Sequence, residues 1–295
     1  MAEAGDSHDR AGSGRLSRRR LLRPDDGPGR GVIRRAQGSV VEVGGVALHL
    51  REDGPAEAPA LVLVHGFCGS LHSWDRLAPL LADRYHLLRP DLRGHGCTGG
   101  DTGLDARSQA GTLAAGLTEL GAERVTAVGH SFGADVVLEL AVLSGLVDRI
   151  VLIGQAPDYR HATFPPGNGL LAVPFVGGLL RRAAATSAVE LALRPTPLRQ
   201  AHADFCATSP AMAGAVLTER RRLLAARPLD AQIAGLALPT LAILGRRDRL
   251  YDHEASAVRY RIAGARVAEL NSGHTPFADR PAEVAALIDR FARED

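Results

Sequence analysis

Val125-Thr126-Ala127-Val128-Gly129-His130-Ser131-Phe132-Gly133-Ala134-Asp135-Val136-Val137-Leu138 is the stretch whose reading decides the fold. Its first four residues are a short apolar and β-branched run, the composition of a buried strand, and Ala134 to Leu143 has the composition of a helix. Between them stands G-x-S-x-G, with Ser131 at the apex and a glycine two positions to either side. A strand that turns directly into a helix crowds its own backbone, so larger side chains at Gly129 and Gly133 would collide with their neighbours. The turn lifts the Ser131 hydroxyl out of the fold. It also sets that hydroxyl near a helix N-terminus, where free N–H groups and the helix dipole stabilise a developing oxyanion. The pentapeptide alone recurs by chance, and the strand before it and helix after it are what give it meaning.

A serine hydroxyl is a poor nucleophile near neutral pH, so this reading requires a histidine to take its proton and an acid to orient that histidine. Both are expected downstream. Pro239 to Gly245 reads as a short buried strand that ends in Arg246-Arg247-Asp248, placing a carboxylate at the strand edge where open α/β sheets collect their ligand-handling groups. Arg266 to Leu270 is a second short strand, running into the turn-rich Asn271-Ser272-Gly273-His274-Thr275-Pro276, which presents an imidazole. Asp252, four residues beyond Asp248, immediately precedes the helical run His253 to Ile262 and suits a helix cap better.

The chain order Ser131, Asp248, His274 is that of an α/β-hydrolase triad. Leu61-Val62-Leu63-Val64-His65-Gly66-Phe67 resembles that family's third strand and oxyanion loop, and Asp91-Leu92-Arg93-Gly94-His95-Gly96 resembles the loop after its fourth strand. Gly273-His274-Thr275-Pro276-Phe277-Ala278-Asp279-Arg280-Pro281 resembles its ending. With five motifs in the right order from about Val40 to Phe291, the chain is identified as a member of the α/β-hydrolase fold family, in its esterase, C–C hydrolase and haloperoxidase-like branch. The resemblance implies an α/β fold with a mostly parallel eight-stranded sheet, helices on both faces and a helical cap inserted after strand six. It implies that the backbone N–H groups of Phe67 and Phe132 form the oxyanion hole, while their rings pack as core or pocket walls. His65 and His95 lie upstream of the base position and are expected to brace loops. Some family members carry the acid after strand six, where Asp158 lies; Gln155, just past that strand, offers only an amide, which cannot stabilise an imidazolium as a carboxylate does. The chain departs from the usual pattern at Ala134, where many relatives have a second glycine, and at Cys97-Thr98, where a polar residue and then serine are common.

At 295 residues with 45% hydrophobic content, the chain can bury a large core as one catalytic domain. Residues 40–154 and 239–295 are expected to form the core, whose short β-rich and helical runs alternate as in a parallel sheet. Ser73 to Ala82 reads as a helix, with Trp74 as a packing anchor. Residues 155–238 change to Ala-, Leu- and Arg-rich helical segments broken by prolines and read as the cap, which shapes the substrate pocket. Within it, Gly169 to Leu180 is apolar but too short to span a bilayer, and is a candidate either for lining an acyl channel or for packing cap on core. Arg220-Arg221-Arg222 reads as a solvated helix face.

The net charge is only +2, and all 35 basic residues are arginines, which excludes a Schiff-base lysine and a P-loop. Cys68, Cys97 and Cys206 lack C-x-x-C spacing, so neither a disulfide framework nor a zinc site is indicated, and a reduced, cytoplasmic setting is expected. Cys68, beside the oxyanion loop, has no base placed for it and reads as space-filling. No cofactor or metal is expected. Residues 1–39 read as a disordered basic tail. Ser17-Arg18-Arg19-Arg20-Leu21-Leu22 superficially resembles a twin-arginine export signal, but Arg23-Pro24-Asp25-Asp26-Gly27 stands where an apolar segment is required. The tail has no aromatics and no folded basic face, so a nucleic-acid partner is not expected. A small-molecule partner with no membrane span is expected, and the oligomeric state is left open.

The expected chemistry is cleavage of a carboxylic ester or related acyl bond of a small, largely apolar substrate, with Ser131 as nucleophile, His274 as base and Asp248 orienting it. The same scaffold suits two alternatives: a C–C bond hydrolase or perhydrolase-type enzyme, and a receptor-like small-molecule binder with incidental turnover.

Overall fold

The computed structural model describes residues 19–21, 38–164, 168–193, 196 and 198–294. Among them runs one nine-stranded sheet: β1 (Arg19–Leu21), β2 (Ser39–Val43), β3 (Val46–Asp53), β4 (Ala60–Val64), β5 (His86–Pro90), β6 (Val125–His130), β7 (Val147–Ile153), β8 (Thr240–Gly245) and β9 (Arg266–Leu270). The spatial order is β1-β2-β3-β5-β4-β6-β7-β8-β9. From β5 through β9 the neighbours pair in parallel, while the β1–β2, β2–β3 and β3–β5 pairs are antiparallel.

Eight of these strands are the expected sheet, and β7, the sixth of them, is followed by the long run of helices that precedes β8. The ninth is a difference from expectation. Arg19–Leu21 falls in the segment read as a tail, yet it pairs with Ser39, Val40 and Val41. An edge strand presents a row of free N–H and C=O groups on which even three residues of chain can pair. The rest of the expected tail lies outside the described residues.

β4 and most of β8 are runs of Val, Leu, Ile and Ala, and β6 is buried along its whole length, because a central parallel strand is covered on both faces. On one face, α1 (Ala106–Glu119) and α2 (Phe132–Ser144) contribute Leu113, Leu117, Val136 and Leu140 to one core cluster. On the other, Trp74, Leu77 and Leu81 join Val284, Ile288 and Phe291 of the C-terminal helix Pro281–Ala292 in a second. The expected Ser73–Ala82 helix is instead two short 3₁₀ turns, Leu71–Trp74 and Ala78–Leu80. Pro79 has no N–H to donate, and its ring collides with the carbonyl four residues back, so an α-helix cannot run through it. Trp74 is still the packing anchor, fully buried with its ring 4.5 Å from that of Phe277.

Between β7 and β8 the described chain is helical: α3 (Pro174–Ala184), α4 (Ser187–Leu193), α5 (Arg199–Ala207), α6 (Pro210–Gly214), a π-helical turn at Ala215–Glu219, α7 (Arg220–Ala226) and α8 (Leu229–Leu236). After β8 come α9 (His253–Ile262), α10 (Pro276–Asp279) and α11, the C-terminal helix. Arg259 of α9 ties this helical layer to the core by pairing with Asp158 at 2.8 Å and Asp230 at 2.7 Å. No helix among the described residues is long and apolar enough to cross a membrane.

Candidate active site

Ser131 sits between β6 and α2 with φ 49° and ψ −117°, a conformation that L-residues rarely adopt and that costs on the order of 1–3 kcal/mol. The surrounding glycines make the turn possible. A Cβ on Gly129 would strike the Gly133 carbonyl, and one on Gly133 would strike the carbonyls of Val64 and His65. A Cβ on Gly66 would lie 3.0 Å from that of Ser131, so the loop after β4 packs directly on the serine. Phe132 opens α2, and its N–H, in the first turn, has no intrahelical acceptor. The Phe132 ring is buried, whereas Phe67 is half-buried and lines the cavity above Ser131.

At the same cavity, His274 Nδ1 donates to Asp248 Oδ2 at 2.8 Å. Asp248 Oδ1 accepts from the Leu250 N–H at 2.8 Å, so backbone holds one oxygen while the other faces the imidazole. Ser131 and His274 line the same cavity of about 640 Å³, within the roughly 300–1,000 Å³ of small-molecule sites, without a direct hydrogen bond between them. Of the competing acids, Asp252 caps α9 by accepting from the Ala255 N–H at 3.1 Å, and Asp158 is occupied by Arg259.

Two residues not singled out in the sequence hold the loop that carries His274. His130 Nε2 lies 3.1 Å from the His274 carbonyl oxygen, and because a carbonyl only accepts, Nε2 carries the proton. Its ring packs 4.9 Å from the His274 ring and 4.8 Å from Phe277, and burial holds it well below the usual imidazole pKa, hence neutral. Gly154, at the end of β7 with φ 60°, leaves room for the same carbonyl, which an added Cβ would strike. His130 occupies the first variable position of the G-x-S-x-G pentapeptide, the one signal that could have drawn attention to it. His130→Ala is expected to lower kcat by about 10²-fold on any substrate the protein turns over, with KM changed far less, because the His274 imidazole loses its register. His130→Gln, which restores a donor at the Nε2 position, is expected to recover part of that loss; steady-state kinetics on the two variants decides.

His65 and His95, read as loop braces, hydrogen-bond to loop backbone. His65 Nδ1 donates to the Gly66 carbonyl at 2.8 Å, and its Nε2 accepts from the Leu92 N–H at 3.0 Å. His95 packs 4.9 Å away, pushed by burial down to about 3. Asp91 accepts from Leu71 N–H, Cys97 N–H and His49 Nδ1 at 2.8, 2.9 and 2.7 Å. His49, Asp91 and Cys97 bring possible metal-ligating atoms within 4.8 Å of one another. The hydrogen bonds already occupy both Asp91 oxygens, and burial pushes the Cys97 thiol up to about 11, so this donor set is that of a brace. Cys68 is pushed by burial up to about 12 and is a protonated, space-filling thiol.

In the helical layer, the reading of Arg220 needs correction, and of the two alternatives for Gly169–Leu180 the acyl-channel one is not met. Arg220 is not solvated. It is 4% exposed, its Nε and Nη2 pair with both oxygens of Asp135 at 2.8 and 2.6 Å, and its Nη1 donates to the Tyr159 hydroxyl at 2.7 Å. A charge is buried only where it is paired, and the partner stands 85 residues away, on α2 one turn beyond Ser131, beyond the reach of local patterning. Arg221 and Arg222 are exposed as expected. Nor does any described residue of Gly169–Leu180 line the cavity: Leu170, Val173, Leu179 and Leu180 are exposed, and the apolar walls come from Phe67, Phe164, Val216, Leu217 and Leu250. Apolar composition marks a surface that avoids water without saying which surface it meets.

Asp204 of α5 is a further buried acid at this cavity. It accepts from the Ser70 hydroxyl and from the Gln200 amide, both at 2.8 Å, and burial pushes its carboxyl up to about 6. A carboxyl raised in the folded state holds its proton while the unfolded chain, near 3.8, releases it, so its stabilising contribution is full below about pH 4 and lost as pH rises through about 6. The loss amounts to about 3 kcal/mol. Asp204→Asn is therefore expected to flatten the decline in stability between pH 4 and pH 7, as denaturant titrations at several pH values would show.

Residues 61–287 match the family described as the alpha/beta hydrolase family. The chain is 35% identical over 133 residues to epoxide hydrolase A of Mycobacterium tuberculosis, covering 43% of this chain but only 41% of that protein. It is 29% identical over 245 residues to a pimeloyl-[acyl-carrier protein] methyl ester esterase of Methylococcus capsulatus, covering 79% of this chain and 94% of that one. Its fold superposes on the enol-lactonase of Burkholderia xenovorans with a TM-score of 0.69 at 24% identity, covering 85% and 98% of the two chains. With a sheet order of this kind, a strained serine between β6 and α2, and a family match over most of its length, the chain belongs to the alpha/beta hydrolase family.

Proposed function

We propose that the protein is a serine hydrolase that cleaves a carboxylic ester, or a related acyl bond, of a small and largely apolar substrate. The observation that carries this reading is that His274, paired with Asp248, opens onto the same cavity as the strained Ser131. In this mechanism His274 Nε2 takes the Ser131 proton as the hydroxyl oxygen attacks the acyl carbon, and Asp248 stabilises the imidazolium. The N–H groups of Phe67 and Phe132 receive the oxyanion. The imidazolium then returns the proton to the leaving oxygen, and water, activated by His274, hydrolyses the acyl-enzyme.

The relatives include a protein named for epoxide hydrolysis, and the nucleophile decides between the chemistries. Attack by Ser131 on a saturated carbon would leave an ether, which offers water no carbonyl to attack, whereas attack on an acyl carbon leaves an ester that water can resolve. Ser131 therefore favours acyl transfer here. The test is a graded panel of esters beside an epoxide and a vinylogous diketone, run on the wild type and on His274→Ala. Ester turnover lost by about 10⁴-fold or more in the variant supports the reading. Turnover of the diketone alone moves it to the C–C hydrolase alternative, and ester turnover retained in His274→Ala overturns it.

A further inference from the structure

The chain contains seven Phe, four Tyr and one Trp, and five of these twelve line the one cavity shared by Ser131 and His274: Phe67, Tyr159, Phe164, Tyr251 and Phe277. Aromatic residues make up 4% of the sequence and about a fifth of the cavity lining, an enrichment well beyond what an apolar pocket requires, since leucine and valine abound elsewhere in the chain.

Three of the five form a closed set. Tyr159 and Phe164 have ring centroids 5.4 Å apart, Phe164 and Tyr251 6.0 Å, and Tyr159 and Tyr251 6.4 Å, all within the range of favourable ring pairs. Tyr251 continues the series to the His274 imidazole at 5.6 Å. The wall is also held from behind. Arg220, itself fixed by Asp135, donates to the Tyr159 hydroxyl and lies 5.2 Å from the Tyr159 ring centre, and the Tyr159 hydroxyl donates to the Val216 carbonyl at 3.2 Å. With its hydroxyl occupied, Tyr159 offers the cavity ring surface, and a tethered ring loses little freedom when a ligand settles against it.

We infer that the substrate carries a flat aromatic or conjugated ring on the leaving-group side of its scissile bond, seated against Tyr159, Phe164 and Tyr251. The side follows from the wall's junction with His274: the imidazole that returns a proton to the leaving oxygen is the group on which Tyr251 packs. This inference rests on the serine-hydrolase reading, and its test separates the two.

Benzyl acetate and cyclohexylmethyl acetate share an acyl group and a primary alcohol and differ in the flatness of the ring. The expected result is a kcat/KM about tenfold higher for the benzyl ester, since a ring pair contributes about 0.5–1.5 kcal/mol beyond area burial, with most of the difference in KM. Methyl phenylacetate and methyl cyclohexylacetate, which move the ring to the acyl side, are expected to differ by less. In Phe164→Leu the benzyl preference is expected to fall toward unity. Calorimetric binding of the same four esters to Ser131→Ala reads the wall without turnover, so it remains informative even if the wild type hydrolyses none of them. Equal handling of the two acetates in turnover and in binding would overturn the ring inference while leaving the hydrolase reading intact. A preference confined to the acyl-side pair would overturn the side assigned. Preferential binding of the benzyl ester without turnover in the wild type would support the wall and count against the hydrolase reading.

Discussion

Replacing Ser131 with glycine is expected to abolish turnover and, at the same time, to make the protein more stable. The two effects have separate origins. On the proposed mechanism activity is lost because the attacking oxygen is gone, a cost on the order of 10⁶-fold in kcat, leaving the background from the proposed oxyanion amides and binding. Stability is gained because the backbone at this position, φ 49° and ψ −117°, strains any residue with a Cβ, while glycine adopts it freely. Relief of on the order of 1–3 kcal/mol of strain exceeds the roughly 0.4–1 kcal/mol lost to the freer unfolded chain, for a net gain of about 1 kcal/mol. Ser131→Ala should match the loss of activity without the gain. Paired kinetics and denaturant titrations of the two variants check both halves; a glycine variant less stable than the alanine one would show that the turn is not strained in solution.

The second large effect is expected at Arg220 and Asp135, whose side chains are 5% and 7% exposed. Removing either partner alone leaves a charge buried without its counter-ion, and each of Arg220→Ala and Asp135→Ala is expected to destabilise the protein by about 3–5 kcal/mol. The double variant Asp135→Leu/Arg220→Met removes both charges and keeps most of the volume, so it is expected to recover most of that loss. This pair joins α7 to the helix that begins at the serine, so the single variants also loosen the layer that covers the cavity. Urea midpoints for the three variants decide; single substitutions that cost under about 1 kcal/mol would mean that the pair is solvated, as surface ion pairs of that magnitude are.

The features legible in the sequence were those in which local chemistry and tertiary role coincide. Gly129 is needed by the turn itself, where a side chain would strike the Gly133 carbonyl, and Gly133 by the close approach of β4 and its loop, whose Val64 and His65 carbonyls a side chain there would strike. Asp248 and His274 each follow a short apolar strand, so parallel pairing of β8 with β9 is enough to bring them to 2.8 Å. Asp252 is a cap because of the residues that immediately follow it. What was not legible depends on partners far away in sequence or on a single residue overriding a pattern. Pro79 breaks an otherwise helical run into 3₁₀ turns. Arg220 sits in an arginine triplet indistinguishable from a solvated face until α2 is folded against it. His130 and Gly154 act on the His274 carbonyl, a contact that exists only once β6, β7 and the last loop share an edge. The aromatic wall likewise draws Tyr159 and Phe164 from the start of the helical insertion and Tyr251 from the loop after β8.

The most direct test of an activated Ser131 is the intact mass of the wild type and of Ser131→Ala after exposure to a general phosphonate probe for serine hydrolases, which requires no guess at the substrate. One adduct on the wild type, absent from the variant, is the predicted result. No adduct on either protein, or an adduct that persists in Ser131→Ala, would contradict it.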